Sequence, residues 1–141
     1  GGQGIDFLQL VTSDPMKAGM QNVDIIFSNW QMSPVDGMML LRWVRRHKES
    51  PNRFIPFVMV TGYADREKVR EARAMGATEM LAKPFSVVNL GQRLLQVVNR
   101  PRKFVHTNKY FGPDRRRNQK EIPPGKDRRK NDERNIEVVH V

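Results

Sequence analysis

Two short apolar runs stand out in the hydrophobic pattern of the chain. One covers residues 23–27 and is interrupted only by Asp24, and the other covers residues 54–60 and is interrupted by Pro56. Short runs rich in Val, Ile and Phe are typical of strands that are buried on both faces of a parallel sheet. A third segment, Glu79–Ala82, is short enough to be another strand of the same kind.

Segments with apolar residues at helical spacing lie between these predicted strands. Apolar residues recur at this spacing over residues 38–45, and Asp65 can cap a second helix that Gly76 would close in a left-handed conformation. Val87–Val98 is predicted to be a final amphipathic helix. Strands that alternate with helices through short links predict a doubly wound α/β sheet with its ligand site at the carboxyl ends of the strands.

The N-terminal part of the chain has a weaker pattern. Phe7–Val11 is predicted to be a strand, and Asp14 to be an N-cap followed by Pro15 at the first helical position. The helix that follows, Met16–Gln21, would have barely two turns.

From residue 101 the periodic pattern disappears. Residues 101–141 contain four Pro, two Gly and 12 Lys/Arg against 6 Asp/Glu, so this segment carries a net charge of +6 out of +10 for the whole chain. We therefore predict a first domain over residues 1–100 and an extended or disordered basic tail over residues 101–141. Order is expected to persist to about Phe111, so that removal of residues 112–141 would leave the melting temperature nearly unchanged.

Composition excludes several kinds of site. The chain has no Cys, so it can form neither disulfides nor a thiolate metal site. No apolar run approaches the roughly 20 residues that span a bilayer, and the N-terminal residues lack the pattern of a signal peptide. We therefore expect a cytoplasmic protein without a membrane span.

Three landmarks occur in a fixed order, each at the end of a predicted strand: Asn29 with Asp36-Gly37 after it, then Thr61-Gly62, then Ala82-Lys83-Pro84-Phe85. In this combination residues 4–100 resemble a response-regulator receiver domain of the chemotaxis-regulator type. The resemblance implies a flavodoxin-like, five-stranded parallel sheet and a place in bacterial two-component signalling. It also implies a histidine kinase or an output protein as partner, and a Mg²⁺ ion held by an acidic pair and the phosphoacceptor.

The resemblance also assigns roles to individual positions. Asn29 stands at the phosphoacceptor position, Thr61 at that of the phosphate-sensing hydroxyl and Lys83 at that of the phosphate-pairing lysine. Pro84 follows a peptide bond that is typically cis in the family. Met80 occupies the position of an aromatic switch residue, which Met could replace only in part.

Two departures from the family pattern concern the chemistry of the site. Asn29 is neutral and cannot form an acyl phosphate, and the acidic pair that follows the first strand has no counterpart. In one alignment Phe7–Val11 is the second strand and strand one is missing; in another Leu8–Val11 is strand one, with Thr12 and Ser13 in place of the acids. In both alignments the metal carboxylates are absent, so no Mg²⁺ is expected unless the acidic pair lies outside this chain.

We therefore expect a binding element rather than an enzyme, with no catalytic residue and no metal ligand. The alternative is an active phosphoacceptor domain in which Asn29 replaces a native Asp. If strand one is missing, the unpaired edge favours a homodimer. Lys83 would either reach the carbonyl oxygen of Asn29 or be solvated, Asp36 would cap the helix that begins at Gly37, and Arg45 would belong to a solvated, basic helix end.

The basic clusters of the tail allow three interpretations. A Gly-x-Asp-Arg-Arg unit occurs twice, in Gly112–Arg117 and Gly125–Lys130, and Tyr110 and Phe111 precede the first copy. The tail could bind a nucleic acid or another polyanion, dock on a protein partner, or only increase solubility. The residues concerned are Arg115, Arg116, Arg117, Arg128, Arg129 and Lys130.

Overall fold

The computed structural model describes residues 1–14, 22–62, 66–107, 109–115 and 137–139 of the chain, the last three by their backbone alone. Two predictions lie outside the described residues: the helix Met16–Gln21 with Pro15 at its start, and the cap at Asp65. The helices and strands follow one another as α1 (Gly2–Ser13), β1 (Ile26–Asn29), α2 (Gly37–Arg46), β2 (Phe57–Thr61), α3 (Arg66–Met75), β3 (Glu79–Ala82), α4 (Val87–Asn99), β4 (Phe104–His106), β5 (Phe111–Pro113) and β6 (Glu137–Val139).

The main sheet is parallel, with strand order β1-β2-β3. Ile26 pairs with Phe57 and Thr61 pairs with Ala82, so the three strands end at the same edge. All five residues of the central strand β2 are buried, which fits its continuous apolar sequence. The predicted doubly wound α/β fold is thus confirmed.

The two faces of the sheet are covered unequally. Phe57 and Met59 point to one face, where Leu8 of α1, residues of α2 and Ala72 of α3 form the larger core cluster. Val58 and Val60 point to the other face, where the described residues place only α4, through Val97 and the half-buried Leu90. Since both crossover helices, α2 and α3, connect neighbouring strands in the same direction, right-handed connections place them on the same face.

The predicted strand Phe7–Val11 is wrong, because these residues lie within helix α1. Ile5 and Leu8 fall one helical turn apart and both pack in the larger cluster. A short apolar run is compatible with either a strand or a helix. Here the packing of Ile5 and Leu8 against α2 favours the helix. Both alignments of this segment place a strand here and are therefore wrong on this point. Among the described residues, β1 is the edge strand of the main sheet on the side opposite β3.

Gly76 ends α3 as the sequence predicts. Its φ angle is 103°, which lies in the left-handed region that glycine adopts at little cost. A Cβ at this position would also come within 3.0 Å of the carbonyl oxygen of Phe111. The tail therefore packs directly against the turn between α3 and β3.

This contact belongs to a second, antiparallel sheet of order β5-β4-β6, which packs at the amino-terminal ends of the main strands. Phe104 and Phe111 are buried, and both make edge contacts with Phe54, at ring-centroid distances of 5.1 and 5.4 Å. Gly112 and Pro113 are buried as well. The expectation that order ends near Phe111 is therefore wrong for Gly112 and Pro113, whereas the effect of removing residues 112–141 on the melting temperature stays a prediction.

Arg45 corrects a second expectation. Instead of being solvated at a helix end, its side chain is completely buried. Its Nε donates to the carbonyl oxygen of Gly76 at 3.0 Å, its Nη1 donates to that of Arg53 at 2.8 Å, and its guanidinium lies 5.3 Å from the centre of the Phe104 ring. Burial lowers the pKa of Arg45 to about 10, so the guanidinium stays charged at neutral pH. One side chain thus links α2, the turn at Gly76 and the tail.

The tight contact between Gly112 and Gly76 generates a prediction. A Cβ on Gly112 would lie 2.8 Å from the Cα of Gly76 and 2.7 Å from the hydroxyl of Tyr110. Gly112→Ala should therefore lower the free energy of unfolding by about 1–3 kcal/mol, the usual cost of overpacking, as measured by urea denaturation. Gly62→Ala is the control, because nothing lies within 4 Å of its added Cβ. Equal stability of the two variants would contradict the docking of β5.

Tyr110 gives an independent test of the same packing. Burial, the largest influence, raises its pKa above the ordinary 10.0, although neighbouring Arg115 opposes the shift. The unfolded chain therefore loses this phenolic proton at lower pH than the folded chain does. The stability that Tyr110 contributes should be complete below pH 10 and decline as pH rises through the folded-state pKa.

The titration can be followed by the ultraviolet absorbance of phenolate in a Tyr63→Phe variant, where Tyr110 is the remaining tyrosine. The midpoint should lie higher in the folded protein than in denaturant. Coincident midpoints would mean that the ring of Tyr110 is solvated.

Candidate functional site

The ends of β1, β2 and β3 are joined by backbone hydrogen bonds. The amide of Trp30 donates to the carbonyl oxygen of Val60 at 2.7 Å, and the amide of Lys83 donates to that of Thr61 at 2.7 Å. Asn29 and Thr61 are the last residues of β1 and β2, and Lys83 directly follows β3. The parallel register therefore brings all three predicted positions to the carboxyl edge of the sheet.

Asn29 is held by its backbone between β2 and the start of α2. The amide of Gly37 donates to the carbonyl oxygen of Trp30 at 2.9 Å. A Cβ on Gly37 would overlap the carbonyl oxygen of Asn29 and would lie 2.8 Å from the sulfur of Met59. Glycine at position 37 thus lets α2 begin directly against the end of β1, while Asn29 itself remains solvent-exposed.

The remaining predicted positions differ in burial. Thr61 is buried, whereas the side chain of Lys83 is exposed and makes no hydrogen bond or ion pair among the described residues. Of the two arrangements considered for Lys83, the structure thus has the solvated lysine rather than a contact with Asn29. The peptide bond between Lys83 and Pro84 is cis, as the resemblance implies. Met80 is half-buried and packs on the larger core cluster.

The donor atoms around Asn29 do not suit a magnesium ion, which prefers several carboxylate oxygens in octahedral geometry. Asn29 offers only a neutral amide. The carboxylate of Asp36 is the N-cap of α2, where its Oδ1 accepts a hydrogen bond from the amide of Met39 at 2.7 Å. Among the residues that the structure describes, no group of three or more His, Cys, Asp or Glu side chains could hold a metal.

An open cleft with a volume of about 580 Å³ lies at the loop after β1, and its lining begins at Trp30, the residue that follows Asn29. Five side chains line it: the indole of Trp30, the amide of Gln31, the thioether of Met32, the carboxylate of Asp36 and the ammonium group of Lys68. Lys68 was not among the residues selected from the sequence. It lies in the first turn of α3, and only the packing of α3 beside the loop after β1 reveals its position.

The basic clusters of the tail are described only at their first residue. Arg115 is exposed, and its guanidinium lies 4.8 Å from the centre of the Tyr110 ring. Arg116, Arg117, Arg128, Arg129 and Lys130 lie outside the described residues, so binding of a polyanion stays a prediction. None of the described helices is both long and apolar enough to cross a membrane.

Comparison with known proteins agrees with this geometry. Residues 6–95 match the family described as response regulator receiver domain. The chain is 30% identical over 77 residues to chemotaxis protein CheY-3 of Vibrio cholerae, a match that covers 55% of this chain and 58% of CheY-3. It is 30% identical over 79 residues to the chemotaxis protein CheY of Pseudomonas aeruginosa, with 56% and 62% covered. The chain thus spans about three fifths of the length of these relatives.

Solved structures of a receiver domain and of a chemotaxis protein are also similar to this chain. The chemotaxis protein CheY4 of Vibrio cholerae is similar with a TM-score of 0.50 and 33% identity, covering 58% of this chain and 67% of that one. The receiver domain of the Francisella response regulator 1452 has a TM-score of 0.53 and 26% identity, with 69% and 71% covered. Both similarities support the arrangement of the main sheet and its helices.

The role of Asp36 as a cap rather than as an acid can be tested. Asp36→Ala should lower the free energy of unfolding by roughly 1 kcal/mol, because the amide of Met39 loses its acceptor. Asp36→Asn should recover most of this loss, since an amide oxygen also caps a helix well. Thermal or urea denaturation of both variants gives the answer. Equal destabilisation of the two would show that the negative charge, and not the hydrogen bond, is what the structure requires.

Proposed function

The chain belongs to the response regulator receiver domain family, and on this basis we propose that it acts in two-component signalling as a module that is bound without being phosphorylated. The observation that carries the proposal is the amide of Asn29 at the end of β1, at the same sheet edge as Thr61 and Lys83. This is the position at which the resemblance places the phosphoacceptor.

The chemistry of an amide supports the proposal. A carboxylate can attack a phosphoryl donor and become an acyl phosphate, whereas the nitrogen lone pair of an amide is delocalised into the carbonyl group. An amide also brings no charge that could hold a cation. Asn29 therefore has nearly the size and shape of an aspartate but lacks the nucleophilic carboxylate. The carboxylate of Asp36, which lines the cleft at this edge, is engaged in a structural hydrogen bond as the cap of α2.

The proposed partners are a histidine kinase or an output protein of a signalling pathway. The surface that such a partner would contact includes the cleft beside Asn29, where Trp30 and Met32 offer apolar area and Lys68 a charge. Partly exposed aromatic side chains next to charged ones are frequent anchors of protein interfaces. Because the amide of Asn29 does not accept a phosphoryl group, binding there would not depend on phosphorylation of this position.

We also infer that the first Gly-Pro-Asp-Arg unit of the tail, residues 112–115, docks on the receiver domain of its own chain. Gly112 fits against Gly76, Pro113 is buried, and the amide of Asp114 donates to the carbonyl oxygen of Lys103 at 2.8 Å. These contacts lie at the amino-terminal ends of the main strands, far along the strands from Asn29. The unit thus leaves the cleft accessible.

Incubation with Mg²⁺ and acetyl phosphate should leave the mass of the intact protein unchanged, because position 29 has no carboxylate to accept the phosphoryl group. Asn29→Asp should gain little or no phosphoryl group, since the carboxylates for the metal are still absent. Intact-mass spectrometry before and after treatment with base measures both.

A receiver domain with an aspartate acceptor and an acidic pair serves as the positive control. A base-labile gain of one phosphoryl group on the unaltered chain would refute the proposal. Rapid and complete labelling of Asn29→Asp alone would show that a metal site exists and that only the acceptor has been lost.

A further inference from the structure

A cluster of cations lies at the amino-terminal ends of the main strands, at the end of the sheet opposite Asn29. Two segments meet there: residues 46–53, which begin at the last residue of α2, and residues 103–115, which contain β4 and β5. These segments contain six Lys and Arg residues but only two acids, Glu49 and Asp114. The six cations are called here the basic pole, and all of them are exposed except one that is half-buried, Arg53: Arg46, Lys48, Arg53, Lys103, Lys109 and Arg115.

Two guanidinium groups of the basic pole are held in place by aromatic rings. The guanidinium of Arg53 lies 4.0 Å from the centre of the Phe111 ring, and its Nε donates to the carbonyl oxygen of Arg45 at 2.8 Å. The guanidinium of Arg115 lies 4.8 Å from the centre of the Tyr110 ring. Among the described residues, the terminal nitrogens of Arg53 and Arg115 make no hydrogen bond or ion pair. Both groups are therefore preorganised and keep N–H donors for a ligand.

The helix ends and the neighbouring acid do not account for this charge. Cations in the last turn of a helix balance its dipole, and Arg46 at the end of α2 fits that role. The other five members of the basic pole lie outside the helices. The carboxylate of Glu49 accepts a hydrogen bond from Nε2 of Gln9 at 2.8 Å and lies 3.9 Å from the imidazole of His47.

Arg45 adds a positive charge beneath the basic pole. Its buried guanidinium donates to the carbonyl oxygens of Gly76 and Arg53, and it forms no ion pair with an acid among the described residues. Its Nη2 is buried and has no hydrogen-bond partner in the same part of the chain. A buried charge that no acid neutralises raises the electrostatic potential at the surface above it. This end of the molecule therefore attracts an anionic partner.

The chemistry of the basic pole fits the phosphate groups of a nucleic-acid duplex. A guanidinium is planar and binds two phosphate oxygens at once, and a duplex carries about one negative charge per 1.7 Å of its axis. Proteins that bind single strands offer exposed aromatic rings on which the bases stack. Here Phe104 and Phe111 are buried, and Arg115 lies over the ring of Tyr110. The rings thus support the cations and favour a duplex over a single strand.

A lipid surface fits this end of the molecule less well. Peripheral binding to a membrane usually combines cations with apolar side chains that enter the lipid. Among the described residues, none of the exposed large hydrophobic side chains belongs to residues 46–53 or 103–115.

We propose that the basic pole binds the phosphate backbone of a nucleic-acid duplex without reading its base sequence. Contacts to phosphates position a protein on a duplex but carry no sequence information. Because the basic pole and Asn29 lie at opposite ends of the main strands, a bound duplex leaves the cleft accessible to a protein partner. This binding is additional to the recognition proposed for the cleft.

Fluorescence anisotropy of a labelled DNA duplex, titrated with the full chain at several salt concentrations, tests this inference. The logarithm of the association constant should fall linearly with that of the salt concentration, with a slope of about −0.9 for each phosphate neutralised. Combining Lys109→Gln with Arg115→Gln should make this slope shallower by about 2 and weaken binding to two unrelated duplex sequences equally.

The matched control combines Arg66→Gln with Arg70→Gln. It removes the same charge from exposed positions of α3, outside the basic pole, and should leave the slope nearly unchanged. The other cations of the tail are the same in both double variants, so a difference between them reports the basic pole. Urea denaturation should find both variants folded.

Equal slopes for the two double variants would overturn the inference, because binding would then follow net charge rather than the basic pole. A strong preference for one duplex sequence, or no binding at low salt, would contradict it as well. Tighter binding to polyglutamate or to vesicles of anionic phospholipid than to the duplex would assign the basic pole to an acidic protein or a membrane instead. None of these outcomes bears on the phosphorylation of position 29.

Discussion

The parallel register of β1, β2 and β3 is the constraint on which the candidate site depends. Two hydrogen bonds at the strand ends, from Trp30 to Val60 and from Lys83 to Thr61, place residues 29, 61 and 83 at one edge although they are far apart in the sequence. The geometry that a receiver domain uses is thus retained without an acid at position 29. In parallel sheets the ligand site lies at this edge because all strands end there. The consequence is that Asn29, Thr61 and Lys83 lie together, with an amide at the position where the resemblance places the phosphoacceptor.

At the other end of the strands, buried charge holds the tail to the main sheet. Arg45 donates to two carbonyl oxygens on separate segments, and Glu79 is buried between Arg93 of α4 and Arg102, at 3.6 and 3.2 Å. Removing one partner of such buried groups usually costs several kcal/mol, because the other charge stays buried without compensation. These contacts make the segment up to Pro113 part of the folded unit. The carboxyl edge is free of them and remains open to partners.

The sequence predicts the elements with strong patterns and misses those that depend on distant contacts. The strand Glu79–Ala82, the cap at Asp36 and the left-handed Gly76 follow from local rules, and the structure confirms them. The short run at residues 7–11 fits a strand or a helix equally well, and packing against α2 selects the helix. The helical spacing groups Arg45 with Leu41 and Val44, but the partners that make its burial possible, such as Phe104 of the tail, are distant in the sequence. The place of Lys68 in the cleft likewise requires the fold.

The central claim is that position 29 and its surroundings recognise a partner without supporting metal-dependent phosphorylation. Titration of Mg²⁺ into the full chain, followed by isothermal calorimetry, tests this claim most directly, because it examines the site without relying on any phosphodonor. The account predicts only heats of dilution, both for the unaltered chain and for Asn29→Asp, since a single carboxylate is a poor substitute for the several oxygens that Mg²⁺ requires. Saturable binding of one ion per chain by the unaltered protein, lost when Asn29 is changed to Ala, would contradict it.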